Sequence, residues 1–401
     1  MLQLEIDEIL PGVIADRRFL HEHPELAFQE FETAEFVRQR LESLGVEDIR
    51  TGIAVTGVTG LIRGTKPGPA RTILLRADMD ALPIVQESDA EYRSRTDGVM
   101  HACGHDAHTA MLLGVARILM ERRDQFSGTV KLLFQPAEEV PPGGAIRMIE
   151  EGVLEDPAVD AVFALHVSTA DPVGTVRVGP GPFMGGGDLF QVEVHGKGGH
   201  AASPELAVDP VVIGAHIVTA LQTLVSRETD PMESDVVTVG KFKAGDAFNV
   251  IPDTVIFGGT VRSLKPELLD HINQRIEELA TSIASAMGGS ATVTIARGYP
   301  PTVNDATMAE VVRKAAVDVV GEDHVLPADP HLGGEDFSAF LLRRPGTYFN
   351  VGCRNEERGI VWGHHHPRFD IDEEALGVGI GTMVSTVLTY FATMSGDKEQ
   401  I

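Results

Sequence analysis

Thr72-Ile73-Leu74-Leu75-Arg76-Ala77 is a short, nearly unbroken apolar run, and Asp78-Met79-Asp80 follows it. A strand covered on both faces reads this way, because neither side chain direction meets water. Residues 107–123 have helical spacing, and residues 129–134 and 160–166 are two more buried-strand runs. Strands alternating with helices predict an α/β domain with a largely parallel sheet. Upstream, apolar residues recur at Phe19, Leu20, Leu26, Phe28, Phe31, Ala34, Val37 and Leu41, and Gly45 suits a helix end. Residues 6–45 are therefore expected to be helical.

From about Gly186 the texture changes. Leu189-Phe190-Gln191-Val192-Glu193-Val194-His195 alternates like a half-exposed strand. A helix over residues 209–227, strands over 236–243 and 254–262, a helix over 266–287 and a strand over 291–295 complete a β-α-β-β-α-β order. That order predicts a ferredoxin-like α+β domain. The expected organisation is a larger domain in two parts, residues 1–185 and 298–401, with a smaller domain, residues 186–297, inserted into it.

The chain has 401 residues, with 33 Lys plus Arg against 59 Asp plus Glu, a formal net charge of −26. A nucleic-acid partner needs a basic face, and so does docking on an anionic membrane, so neither is expected. Two cysteines, Cys103 and Cys353, do not make a disulfide framework. The start, Met1-Leu2-Gln3-Leu4-Glu5, lacks the basic residues of a secretory signal, and no run of about 18 apolar residues is found. A cytoplasmic protein with no membrane span is the expectation.

Reactive side chains gather in five places. Met100-His101-Ala102-Cys103-Gly104-His105-Asp106-Ala107-His108 offers a thiolate and an imidazole one glycine apart, just before a helix. Glu138 and Glu139 follow a buried strand, where α/β sheets place ligand sites. Neighbouring side chains on extended backbone diverge, so one Glu can hold a metal while the other faces water or substrate. His166 ends another buried run, and Trp362-Gly363-His364-His365-His366-Pro367 offers three more imidazoles. Asp78 and Asp80 can orient ligand imidazoles. Read singly, Cys103 also fits an inert core cysteine or a nucleophile, Glu138-Glu139 a solvated turn, and His166 a structural histidine. Together the mixed donors suit zinc, manganese or a similar ion better than calcium or magnesium, with enough ligands for two ions. There is no Gly-x-Ser-x-Gly elbow, phosphate-binding glycine loop or His-Glu-x-x-His.

The run from Met100 to His108, Gln135-Pro136-Ala137-Glu138-Glu139, Gly333-Gly334-Glu335-Asp336-Phe337, Arg17-Arg18-Phe19-Leu20-His21-Glu22-His23-Pro24-Glu25-Leu26 and His365-His366-Pro367-Arg368-Phe369-Asp370 stand in an order that resembles the amidohydrolase branch of the aminoacylase-like metallopeptidases. That branch includes hippurate hydrolases, indole-acetyl-amino-acid hydrolases and N-acetyl-diaminopimelate deacetylases. The resemblance implies a di-metal α/β catalytic domain with an inserted dimerisation, or lid, domain. It implies that Cys103, His105, Glu139, His166 and His365 hold two divalent ions (Zn, Mn, Co or Ni), with Cys103 able to bridge them. Glu138 matches the general base and acid, and Asp80 the carboxylate that supports the site. Asp78 stands where the wider clan has a ligand His and is not counted as a ligand. Gly196-Lys197-Gly198-Gly199-His200-Ala201-Ala202 matches the lid's substrate-facing loop, with His200 as oxyanion donor, reaching a partner subunit. Asn249 and Arg262 match positions that hold the substrate's carboxylate, though Arg262 also fits a structural ion pair. The implied activity is hydrolysis of N-acyl amino acids by a homodimer or tetramer assembled through the lid, with a dipeptidase or aminopeptidase as the alternative. Cys353 reads as core.

Overall fold

Every residue of the strand Thr72–Asp78 is buried, which is why its sequence shows no alternation. The computed structural model describes residues 2–394. Its chain divides into two compact units, one formed by residues 1–181, 303–329 and 336–401, the other by residues 182–302 and 330–335.

In the first unit the described residues form an eight-stranded sheet. Thr72–Asp78 lies near its middle, parallel to Thr129–Gln135 on one side and to Ala161–Pro172 on the other. Gly346–Arg354 continues the parallel set beyond Ala161–Pro172. The sheet turns antiparallel at its flanks, where Gly57–Arg63 pairs with Thr129–Gln135 and with Glu47–Ile53. The hairpin Glu47–Ile53 to Gly57–Arg63 was not anticipated, because its outer strand is mostly exposed and carries no apolar alternation.

Two sequence expectations need correction here. Residues 6–45 are two helices, Leu2–Glu22 and Phe31–Leu44, rather than one stretch. His23-Pro24 breaks them, since proline disfavours helical geometry in the residue before it. Leu26 in the break forms a parallel bridge with Ala81, beyond the central strand. His166 does not end its strand, which runs on to Pro172. It is the neighbouring strand that stops. Arg76 is in register with Ala164, so Asp78, the last residue of that neighbour, stands level with His166.

One apolar core holds this unit together. Helices His105–Glu121 and Glu374–Met394 contribute Ala107, Met111, Ile118, Leu376, Ile380 and Val384, all almost fully buried. Glu374–Met394 and residues Pro210–Glu228 are long and apolar enough to cross a membrane, with mean hydropathy 1.5 and 1.2. Both are interrupted by polar residues, such as Ser385 and Thr386 or His216 and Gln222, so neither is the unbroken apolar run sought in the sequence. In Glu374–Met394, 67% of the most apolar window lies inside the protein, as in a core helix.

The second unit is a four-stranded antiparallel sheet in the order Val236–Ala244, Thr254–Ser263, Gly186–His195, Ser290–Ala296. Helices Pro210–Thr223 and Pro266–Ala286 supply Ile213, Ile217, Leu269, Ile272 and Ile276 to its core. Numbered along the chain, the strand order is 2-3-1-4, the ferredoxin-like arrangement. Asp209 caps the first helix by accepting the Val211 N–H, and Pro210 takes the first helical position, where its missing N–H is harmless.

Candidate metal centre

The loop Met100–Gly104 delivers the thiol, and the helix His105–Glu121 starts at the imidazole. Gly104 sits between them at φ +94, where a Cβ would come within 2.4 Å of Val167 Cγ2. Only glycine fits both the left-handed backbone and that contact. From the strand Thr129–Gln135 the chain turns through Ala137, at φ +54, into Glu138 and Glu139. His365 arrives from the C-terminal loop, itself at φ +64, and its N–H donates to the Ala102 carbonyl at 2.7 Å. A left-handed residue other than glycine costs about 1–2 kcal/mol, and two of them here flank the same cluster.

These segments converge. Ligand atoms of Cys103, His105 and His166 lie within 4.8 Å of one another, and so do those of Cys103, Glu139 and His365. A third such set is His105, Glu138 and Glu139. Cys103 belongs to both of the first two groups, which is the arrangement a bridging sulfur requires. His166 Nε2 is 3.4 Å from the Cys103 sulfur, while its Nδ1 meets the Val167 carbonyl at 2.7 Å. His105 Nδ1 meets the Asp80 carbonyl at 2.8 Å, and its buried Nε2 makes no hydrogen bond, lying 3.8 Å from Asp78. In both rings the outer nitrogen is committed to a backbone acceptor, which presents the other nitrogen's lone pair to the cluster.

The charges demand a cation. Burial pushes the Cys103 thiol well up, and Glu139, Glu138 and Asp78 push it further. Burial lowers His105, yet Asp78, Asp80 and Glu139 outweigh it and bring the imidazolium up to about 10. The hydrogen bond that the His365 ring donates to the Glu139 carboxylate raises His365, and the two side chains sit 3.1 Å apart. The acids thus hold protons on a thiol and two imidazoles that divalent ions would displace. The donor set therefore fits two such ions.

Asp80 does not orient His105 through its carboxylate alone. The carboxylate accepts the Glu138 N–H on one oxygen at 2.9 Å and the Glu139 N–H on the other at 3.0 Å. Asp78 takes the His108 Nδ1–H at 2.6 Å and pairs with the fully buried Arg76. His108 Nε2 then accepts the Val167 N–H at 3.0 Å, locking its tautomer. The three successive histidines take three directions. His365 faces Glu139, His364 packs 5.0 Å from the His166 ring, and His366 stacks on Trp362 at 4.2 Å. Burial drives His364 down to about 3, so it stays neutral.

Several supporting residues have no signal of their own in the sequence. Asp336 accepts from Gln135, Arg76 and the Ala145 N–H, and fills the space where a side chain at Gly143 would stand. Arg17, fully buried, pairs with Asp106, Asp370 and Glu373, tying the helix start after His105 to the loop after His365. Glu30 hydrogen-bonds the Ala137 N–H. Arg17 and Asp336 lie in motifs quoted above, but nothing local in those motifs predicts these partners.

In the second unit, His200 is exposed on a short strand that pairs with Val250–Ile251, and the Ala201 N–H donates to the Asn249 carbonyl. His200 and Asn249 are therefore neighbours. Arg262 is not. The loop bearing His200 leaves the sheet at His195, in register with Thr254, whereas Arg262 is in register with Gly187 at the other end. Eight residues of strand separate the ends, about 26 Å at ~3.3 Å per residue.

Residues 74–389 match the profile of Peptidase family M20/M25/M40. An "IAA-amino acid hydrolase ILR1-like 4" from Arabidopsis thaliana is 42% identical over 96% of this chain and 87% of its own length. An "N-acetyl-L-cysteine deacetylase" from Bacillus subtilis is 43% identical over 91% of this chain and 84% of its own. Among solved structures, the Bacillus subtilis YXEP protein, described as "a Dinuclear Metal Binding Peptidase from M20 Family", superposes with a TM-score of 0.84 at 35% identity, covering 96% of this chain and 99% of that one.

Proposed function

Because the chain belongs to Peptidase family M20/M25/M40, hydrolases of amide bonds, we propose that it cleaves N-acyl amino acids to a carboxylic acid and a free amino acid. The observation that carries this reading is the pair of donor groups sharing Cys103, with the buried carboxylate of Glu138 beside them. Relatives of similar length are named an IAA-amino acid hydrolase and an N-acetyl-L-cysteine deacetylase.

Cys103, His105 and His166 would hold one divalent ion, and Cys103, Glu139 and His365 a second. Such ions, when bound, polarise a carbonyl and lower the pKa of water from 15.7 to about 7. Glu138 takes the proton of the attacking water and returns it to the departing amine, so one carboxylate serves as base and then acid. Asp80, by accepting both backbone N–H groups, fixes the direction in which Glu138 and Glu139 point. His200 donates to the oxyanion, and Asn249 and Arg262 hold the substrate's carboxylate.

No single small substrate spans the distance from His200 to Arg262 within one copy of the second unit. We therefore assign His200 and Asn249 to the substrate of a second copy. The sheet edge at Val236–Ala244 and the exposed Val212, Val236, Phe242 and Phe248 support a homodimer formed through this unit.

A hydrolysis panel tests the reading. N-acetyl and N-benzoyl amino acids and free dipeptides are offered to protein loaded with zinc, manganese, cobalt or nickel. Turnover of the acyl amino acids is expected. Cleavage confined to free dipeptides would select the dipeptidase alternative, and no turnover with any metal would reject hydrolysis of this class.

A further inference from the structure

Glu30 directly precedes the helix Phe31–Leu44, at the N-cap position, yet its carboxylate caps nothing. A carboxylate at a helix start ordinarily turns to the free N–H groups there. Glu25 does that work instead, accepting the Glu32 and Thr33 N–H groups at 3.1 and 2.8 Å. Glu30 points into the protein and is wholly buried. One oxygen accepts the Ala137 N–H at 2.9 Å, and the other accepts the Thr56 hydroxyl at 2.6 Å.

Ala137 is the residue at φ +54 on which the chain turns from the strand into Glu138 and Glu139. Three consecutive backbone N–H groups, those of Ala137, Glu138 and Glu139, thus end on two buried carboxylates, Glu30 and Asp80. From this geometry we propose that Glu30 is a positioning residue, which holds the left-handed turn at Ala137 and thereby aims Glu138 at the reacting water and Glu139 at its metal ion. The proposal rests on the amidohydrolase reading only for the role of Glu138.

Two physical facts support it. The turn is strained, so without an acceptor for the Ala137 N–H the backbone gains by relaxing toward ordinary φ. The acid is also expensive to keep, for burial, with Asp80 adding to it, pushes Glu30 up to about 7. A residue serving only to fill space there would be less costly as an apolar side chain.

The test compares Glu30→Ala, Glu30→Gln and the double variant Glu30→Ala/Ala137→Gly. Each is measured for zinc affinity by chelator competition, for the visible spectrum of the cobalt-loaded protein and for kcat and KM on an N-acetyl amino acid. Glutamine keeps an acceptor for the Ala137 N–H, and glycine adopts the left-handed turn without strain. Glu30→Ala is expected to weaken zinc binding and lower kcat by about 10–100-fold each, the usual effect of losing a group behind a ligand, with KM little changed. Glu30→Gln is expected to recover most of both, and Ala137→Gly to recover several-fold in the Glu30→Ala background. Zinc affinity and cobalt spectrum in Glu30→Ala indistinguishable from the natural chain would overturn the proposal. So would equal losses in the Ala and Gln variants, or an Ala137→Gly change that recovers nothing. If no acyl amino acid is cleaved by the natural protein, the hydrolase reading fails, but the zinc and cobalt measurements still decide the role of Glu30. Should Glu30→Ala not fold, Glu30→Met, which fills the same space but offers the Ala137 N–H no acceptor, decides by its zinc affinity and cobalt spectrum. A change in either supports the turn's role, and identity with the natural protein overturns it.

Discussion

Replacing Glu30 by Gln should stabilise the metal-free protein at pH 8 relative to pH 4.5. Glu30 is fully buried, and its carboxyl stands at about 7 against an ordinary 4.5. Burial is the main cause, partly opposed by the hydrogen bond from Thr56 and assisted by the nearby Asp80 charge. Below pH 4.5 both folded and unfolded chains hold the proton, and the group contributes no pH dependence. Between 4.5 and 7 the unfolded chain releases it while the folded chain keeps it, so stability falls as pH rises. At about 1.36 kcal/mol per pH unit, the gap amounts to about 3 kcal/mol, present in full above pH 7. Glutamine does not titrate, so the variant lacks this loss. The assay is urea unfolding of chelator-treated natural protein and Glu30→Gln at several pH values from 4.5 to 8, followed by circular dichroism. The stability difference between the two proteins should shift by about 3 kcal/mol in favour of the variant across that range. A difference that changes by less than about 1 kcal/mol would show that Glu30 is ionised at an ordinary pKa, and that its burial carries no electrostatic cost.

Other perturbations address the ligands, the base and the assembly. Glu138→Ala should lose about 10²–10⁴-fold in kcat while elemental analysis still finds two ions per chain, and a variant retaining more than a few per cent of activity would remove Glu138 as the base. Cys103→Ala and His365→Ala should each lower metal content, so two ions per chain in both would refute the ligand set. Loading the natural protein at pH 7 should release protons, because burial and carboxylates keep the Cys103 thiol protonated until an ion displaces the proton. Calorimetry in buffers of different ionisation enthalpy reads that release, and a buffer-independent heat would contradict it. Arg17→Met leaves Asp106 buried without its cation, and should cost about 3–5 kcal/mol in unfolding free energy. Finally, mixing His200→Ala with Glu138→Ala chains should restore partial activity if His200 serves a second copy. No recovery in demonstrated heterodimers would count against that assignment.

Donors adjacent in sequence were legible, and groups that meet only through the fold were not. Cys103 and His105, just before a helix, and Glu138 and Glu139, just after a buried strand, point to a site because reactive side chains one or two positions apart can serve a common ligand. The buried strand Thr72–Asp78 was legible for a similar reason, since burial on both faces leaves a compositional mark. Glu30 and Ala137 are 107 residues apart, and Arg17 reaches Glu373 across 356. Nothing near either end predicts such partners. The flanking hairpin was missed because Glu47–Ile53 is an exposed edge with little apolar character. His166 ends the apolar run in the sequence, whereas the strand continues through Ser168 and Thr169, polar residues that are buried within it.

The same groups explain why this centre is costly without its ions. Asp78, Asp80, Glu138 and Glu139 crowd around one thiol and the imidazoles of His105 and His365, and the turns at Ala137 and His365 are held in left-handed backbone. Each feature opposes folding on its own, and each is relieved or used when divalent charge enters. The chain's charge of −26 adds a field that attracts those cations and opposes an anionic substrate. An acyl amino acid would arrive against that field. If Arg262 and Asn249 hold its carboxylate as proposed, capture is short-range, and raising the salt concentration should lower KM by screening the repulsion. A KM that rises steeply with salt would mean that long-range attraction, absent from this charge distribution, brings the substrate in.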